Sequence, residues 1–156
     1  MEQEFLKSIH NYQNIIYKIC KMYRDKRKDQ EDLFQEIVYQ LWKSYPSFRG
    51  ESKISSWIYR IALNTAMAIY RKPALPVEYV EKMPEQIYAD RGQQVSENEE
   101  RLFNTLRKLN DSEKALISLF LDDFTYREIA AITGITESNA GVRLNRIKTK
   151  LKNILK

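Results

Sequence analysis

Cysteine occurs once in this chain, at Cys20, and histidine once, at His10. One thiol cannot close an intramolecular disulfide. Without companions, neither residue can build a Cys/His metal cluster or a Cys/His catalytic dyad. Cys20 stands among Ile16, Ile19 and Tyr23, the company of a buried core thiol. Glycine and proline number only four each, too few for the many turns of an all-β fold, so helices are expected. No apolar run approaches the ~18 residues of a membrane span. The first residues, MEQEFLKSIHNYQ, lack the apolar block of a signal peptide. These absences predict a cytoplasmic protein.

What is present fits one medium or two small packed domains: 156 residues, 43% of them hydrophobic. The net charge of +5 fits a polyanionic partner, and its distribution says more. Residues 1–72 carry thirteen Lys/Arg against eight Asp/Glu, and residues 138–156 carry six and no acid. Between them, residues 73–98 and 99–137 are each net −3. Two basic segments flanking an acidic middle are either solvated helix faces or contacts to a polyanion.

Apolar spacing predicts a helix from residue 3 to about 24, with Phe5, Leu6, Ile9, Tyr12, Ile16, Ile19, Cys20 and Tyr23 on one face. A second helix is expected after a cap at Asp29, with Glu31 and Asp32 in its first turn. Its stripe runs through Leu33, Phe34, Ile37, Val38, Leu41, Trp42 and Tyr45 to a stop at Pro46. Ser52 or Ser55 can cap a third, reaching about Lys72, with Ile54, Trp57, Ile58, Ile61, Ala62, Thr65, Ala66 and Ile69 inward. Residues 73–95 hold three of the four prolines and no sustained period, and read as a flexible, protease-sensitive tether between domains 1–72 and 96–156. In the second domain, Ser96-Glu97-Asn98-Glu99 has a capping-box pattern before Leu102, Phe103, Leu106 and Leu109. Asp111 can cap the next helix, Thr125 with Glu128 a short one, and Thr136 a final long one. The expected fold is all-α: an N-terminal helical bundle and a C-terminal helix-turn-helix domain joined by a linker.

Residues 125–151 have the layout of a DNA-reading helix-turn-helix. Ile129 and Ile132 bury the first helix, Ala130 is small where the helices cross, and Gly134 suits a positive φ. Ala140, Leu144, Ile147 and Leu151 form one stripe on the second helix. Its other face carries Ser138, Val142, Arg143, Asn145, Arg146 and Thr149, with no acid beyond Glu137. Such a surface can enter a major groove, with Arg143, Arg146, Lys148 and Lys150 for phosphates and Asn145 and Arg146 for base edges. The alternative is a plain helical hairpin with a basic solvent face. Gly141, mid-helix, either permits close approach to the DNA backbone or has no role.

Residues 29–72 closely resemble the second conserved region of the extracytoplasmic-function (ECF) sigma factors. The landmarks are Asp32-Leu33, Gln35-Glu36, Leu41-Trp42, Phe48-Arg49-Gly50, Trp57, Tyr59-Arg60-Ile61-Ala62, Asn64 and Arg71. The C-terminal half resembles the family's fourth region through Leu109, Tyr126, Glu128-Ile129-Ala130, Gly134 and the basic last helix. The resemblance implies a non-enzymatic promoter-specificity subunit of RNA polymerase with no cofactor or metal. Its partners would be the β′ coiled-coil and β subunits of core polymerase, promoter DNA and an anti-sigma factor.

By the same resemblance Asp32, Gln35, Glu36, Tyr39 and Trp42 would meet core polymerase. Phe48, Arg49, Lys53, Ser56, Trp57, Arg60, Asn64 and Arg71 would engage the melted minus-10 element, with one base flipped from the duplex. Thr125, Tyr126, Ser138, Val142, Arg143, Asn145, Arg146, Lys148 and Thr149 would read the duplex minus-35 element. The residues themselves agree in part. The outer face of the second helix, with Gln35 and Glu36 exposed, suits a protein partner or plain solvation. Cations interleaved with Trp57 and Tyr59 on the third helix suit stacked single-stranded bases, although Trp57 also fits the core stripe. Where many relatives carry Thr-Val early in the recognition helix, this chain reads Asn139-Ala140-Gly141-Val142, so its minus-35 preference is its own. Two rival functions are a stand-alone helix-turn-helix regulator and a nucleic-acid enzyme. The second lacks a carboxylate cluster for a metal.

Overall fold

The computed structural model describes residues 2–50, 52–68 and 96–155, which contain helices and no strand. The chain divides into two compact units, 1–93 and 94–156. The expected tether at 73–95, the end of the third helix and Arg71 lie outside the described residues.

In the first unit, α1 (Glu2–Tyr23), α2 (Arg27–Ser44) and α3 (Ile54–Ala68) each pack against the other two. The α1 backbone leaves helical geometry at Tyr12 (φ −116°, ψ 15°), setting its first turns apart from the rest. The core joins Phe5, Ile9, Ile16, Ile19 and Met22 of α1 to Leu33, Phe34, Ile37 and Leu41 of α2 and Ile58, Ala62 and Ala66 of α3. Cys20 is buried among them; burial pushes its thiol well up, and Arg24 offsets only part of that. The Arg24 guanidinium, itself buried, donates to the carbonyls of Tyr23 and Ala66 and so ties the end of α1 to α3.

Two helix starts in this unit differ from expectation. The second helix begins at Arg27 after Lys26, which makes no side-chain cap, so Asp29 stands in the first turn and Glu31 and Asp32 beyond it. The Gln30 side chain donates to the carbonyls of Arg24 and Asp25, closing the α1–α2 connection without an acidic cap. The third begins at Ile54, with the Lys53 carbonyl accepting from the Trp57 N–H, so neither Ser52 nor Ser55 is the cap. Between α2 and α3 lie a 3₁₀ turn (Tyr45–Ser47) containing Pro46 and a loop in which Gly50 takes φ 73°.

The second unit holds α4 (Glu97–Leu106), α5 (Asp111–Leu121), α6 (Tyr126–Thr133) and α7 (Glu137–Leu155). Ser96 caps α4 by accepting from the Glu99 N–H. Leu102, expected inward, is 44% exposed, because α4 buries only Thr105 and Leu106. Asn110, not Asp111, caps α5: its side chain accepts from the Glu113 N–H, and the Glu113 carboxylate accepts from the Asn110 N–H. A tight turn through Asp123 (φ 66°) then leads to α6.

Candidate nucleic-acid interface

The helix-turn-helix is built by local hydrogen bonds that its sequence specifies. The Thr125 hydroxyl accepts from the Glu128 N–H at 3.1 Å, and Glu128 accepts from the Thr125 N–H at 2.9 Å. Together they satisfy two donors that a bare helix start leaves unpaired. Gly134 ends α6 at φ 81°, in the left-handed region that a side chain resists. Thr136 opens α7 by accepting from the Asn139 N–H at 3.1 Å. Ile129 is buried in α6, and Ala140, Leu144 and Ile147 are buried in α7. Ile132, Ile135 and Leu151 are half-buried around them.

This packing turns the other face of α7 outward over 19 residues, ~28 Å of helix. Ser138, Val142, Arg143, Asn145, Arg146 and Thr149 are exposed on it, as is Thr125 at the α6 start. Val142, at 49%, is a large apolar side chain held in solvent, suited to contact with a thymine methyl. Tyr126 is half-buried, and its ring lies beside Gly141. Gly141 therefore faces a side chain of its own unit, which spacing along α7 does not reveal.

Three basic side chains of α7 meet α5. Lys150 bonds Glu113 at 3.0 Å. Partial burial pushes the Glu113 carboxyl up, but the Asn110 N–H and the Lys150 ammonium outweigh it and hold the group below its usual range. The Lys148 ammonium sits 4.0 Å from the Phe120 ring centroid, a cation–π contact that holds it at the α5–α7 seam. An Arg143 nitrogen lies 3.5 Å from the Ser112 hydroxyl, at the long limit of a hydrogen bond.

On α3 the outward ridge is Trp57, Arg60 and Asn64, continued through the loop by Arg49 and Lys53. Arg49, Lys53, Arg60 and Asn64 are exposed, and Trp57 is half-buried. The Phe48 ring lies 4.8 Å from the Trp57 ring, and the Tyr45 ring lies 6.1 Å from it. Trp57 is thus both packed against rings and partly open to solvent, which accommodates both roles read from its sequence position.

Two expected aromatic or polar contacts on this helix are withdrawn. Ser56 is only 9% exposed, because it shares the inward face of Leu63 and Ala66. Tyr59 is fully buried on that face, with the Lys18 ammonium donating to its hydroxyl, so its ring cannot stack on a base.

On α2, Asp32 is exposed, while Gln35 and Glu36, expected exposed, are half-buried. Gln40 donates to Glu36 at 3.2 Å. Tyr39, expected on the outer face, is 7% exposed: α2 is covered from two sides, by α1 and by α3, so its buried arc is wider than a single stripe. Trp42 is half-buried with its ring edge-on to Phe5 at 5.0 Å.

Residues 9–74 match the family model described as Sigma-70 region 2, and residues 99–151 match that of Sigma-70, region 4. The ECF RNA polymerase sigma-E factor of Haemophilus influenzae is 30% identical over 162 aligned positions, covering 93% of this chain and 84% of that protein. The chain belongs to the ECF sigma-factor family. RNA polymerase sigma factor YlaC of Bacillus subtilis is 30% identical across 78% of this sigma factor and 75% of its own length. In fold, the sigma factor is similar to RpoE of Bartonella quintana, solved in complex with the anti-sigma factor NepR: TM-score 0.75 at 21% identity, covering 98% of this chain and 97% of that one.

Membership fixes the activity class. A sigma factor binds core RNA polymerase and directs promoter-specific initiation, and it performs no bond chemistry. A stand-alone helix-turn-helix regulator would not carry the region 2 match that covers the first unit. Among the described residues, no helix is long and apolar enough to cross a membrane.

Proposed function

We propose that the two units of this sigma factor read the promoter in different forms. α7 enters the major groove of the duplex minus-35 element. The 48–53 loop and the Trp57, Arg60 and Asn64 ridge of α3 hold the melted minus-10 strand, with one base flipped out. Asp32, Gln35, Glu36 and Trp42 on α2 dock the β′ coiled-coil of core polymerase. As a partner of polymerase, the protein acts in the cytoplasm.

One observation carries the division of labour: the two outward faces differ in chemistry. The α7 face is a helical rod of short polar and Arg side chains with no acid beyond Glu137, anchored at Thr136, which suits intact duplex. The α3 face mixes cations with an aromatic ring, which suits unstacked bases. Because Lys148 and Lys150 are engaged within the unit, Arg143 and Arg146 are the foremost cations toward DNA. Bartonella quintana RpoE is solved with an anti-sigma factor, which supports including a protein of that class among the partners of this chain.

Arg146→Ala and Asn64→Ala in reconstituted holoenzyme test the reading. The first weakens binding to duplex minus-35 DNA by ~1–3 kcal/mol if Arg146 makes a bidentate base contact. It spares binding to a pre-melted minus-10 fragment. The second leaves duplex recruitment near normal and impairs open-complex formation, followed by permanganate reactivity of unpaired thymines. The division of labour fails if both variants lose the same DNA form.

A further inference from the structure

A chain of ring contacts runs through the first unit and ends at the minus-10 loop. It starts at Phe5, which is fully buried in the opening turns of α1, ahead of the irregular backbone at Tyr12. The Phe5 ring meets Trp42 edge-on at 5.0 Å and Tyr45 edge-on at 5.2 Å. Tyr45 lies 6.1 Å from Trp57, and Trp57 lies 4.8 Å from Phe48. All four spacings fall in the range where aromatic pairs attract beyond their buried area.

Two backbone hydrogen bonds bracket the loop. The Phe48 N–H bonds the Tyr45 carbonyl at its entry, and the Trp57 N–H bonds the Lys53 carbonyl at its exit. Between these points Gly50 is in the left-handed region, and Arg49, Ser52 and Lys53 are exposed. Ring packing joins Phe48 to α3 at Trp57 and, through Tyr45, reaches back to Phe5. Phe5 touches none of the proposed DNA ridge except through Tyr45, and it lies outside the 9–74 region 2 match.

We propose that Phe5 is a positioning residue for minus-10 recognition, acting through Tyr45 and Trp57 to set the pose of Phe48 and its loop. The proposal rests on the reading of α3 and that loop as the minus-10 surface. Replacing the ring with an aliphatic side chain keeps the core apolar but removes both edge-on contacts. Tyr45, and then Trp57, lose their backing, and the loop samples poses that do not hold a flipped base. Recruitment through α7 is untouched, since no part of that unit is involved.

The test compares Phe5→Leu and the longer Phe5→Met with Ile19→Val and Asn64→Ala, each reconstituted with core polymerase. Ile19 is buried on the same helix about 21 Å further along, so Ile19→Val reports general loosening of the core. Both Phe5 variants are expected to slow open-complex formation about fivefold, the effect of losing the one aromatic pair, Phe5–Tyr45, that leads to the loop, at unchanged duplex minus-35 affinity. Trp42 and Trp57 are the only tryptophans, so emission of the free proteins is expected to shift in the Phe5 variants and not in Ile19→Val. If Asn64→Ala impairs opening while both Phe5 variants open normally, the positioning role is overturned and the minus-10 reading stands. If Ile19→Val slows opening as much as Phe5→Leu, the effect is generic and the role is again overturned. If Asn64→Ala opens promoters normally, the underlying minus-10 reading falls, and the positioning role falls with it.

Discussion

Gly141→Ala is expected to stabilise the C-terminal unit by about 1 kcal/mol, the helix-propensity difference between Gly and Ala at an interior position. The site is the fifth residue of a 19-residue helix, in its second turn, and has no positive φ, so nothing in the backbone requires glycine. An added Cβ would meet Tyr126 at 3.4 and 3.5 Å, ordinary van der Waals contacts with the edge of a ring. The methyl group thus fills space against Tyr126 without displacing it, and each new atom pair adds only about 0.1–0.2 kcal/mol. For a domain of this size, about 1 kcal/mol moves the melting temperature by roughly 4–8 °C.

Both tryptophans lie in the first unit, so their fluorescence follows that unit alone, whereas far-UV circular dichroism follows both. The Ala variant should raise the dichroism transition and leave the fluorescence transition in place. Gly141→Val is the counter-case: its branches press into the Tyr126 ring, and overpacking of this kind destabilises by about 1–3 kcal/mol. A lower melting temperature for Ala would refute the packing argument. A stabilised Ala variant with duplex affinity reduced more than threefold would assign Gly141 to close approach of the DNA backbone instead.

Thr125→Ala removes the acceptor for the Glu128 N–H and should lower the stability of the same unit by about 1 kcal/mol in thermal melts. The Glu113 carboxyl is held below its usual range in the folded unit, so the stability it contributes is present above the ordinary carboxylate pKa and is lost as pH falls toward the depressed folded value. Acid titration of unfolding should therefore show a shallower slope for Glu113→Gln than for the wild type. Gln35→Ala combined with Glu36→Ala should weaken core-polymerase capture while circular dichroism remains native. Unchanged core affinity with reduced DNA binding would reassign this face of α2.

Local chemistry was readable wherever a structure is closed by residues three or four apart. The Thr125–Glu128 box, the Gly134 stop and the Thr136 cap are set by side chains meeting their own backbone, and they form as their spacing predicts. The Asn110 cap was readable on the same terms, because Asn110 has Glu113 three residues on and Asp111 has Lys114, which cannot return the second bond. The stripe on α7 was equally legible, since one face of that helix meets the core and the other meets solvent.

Burial on α2 and α3 followed a different logic. Each of these helices packs against two others, so the buried arc is wider than the single stripe that apolar periodicity draws. That is why Tyr39, Ser56 and Tyr59 left the surface: their positions are fixed by a second neighbouring helix, and no spacing within one segment records which helix that is. The cation pairings had the same origin. Lys148 found Phe120, and Lys150 found Glu113, across 28 and 37 residues of chain, thinning the basic face that charge counting drew. Sequence alone determined the Ser96, Thr125 and Thr136 caps, the Gly134 stop, the helix-turn-helix and the family, because these depend on neighbours along the chain. Tertiary structure decided which polar and aromatic side chains remain outside to meet DNA or polymerase, because exposure depends on what packs against a helix from elsewhere.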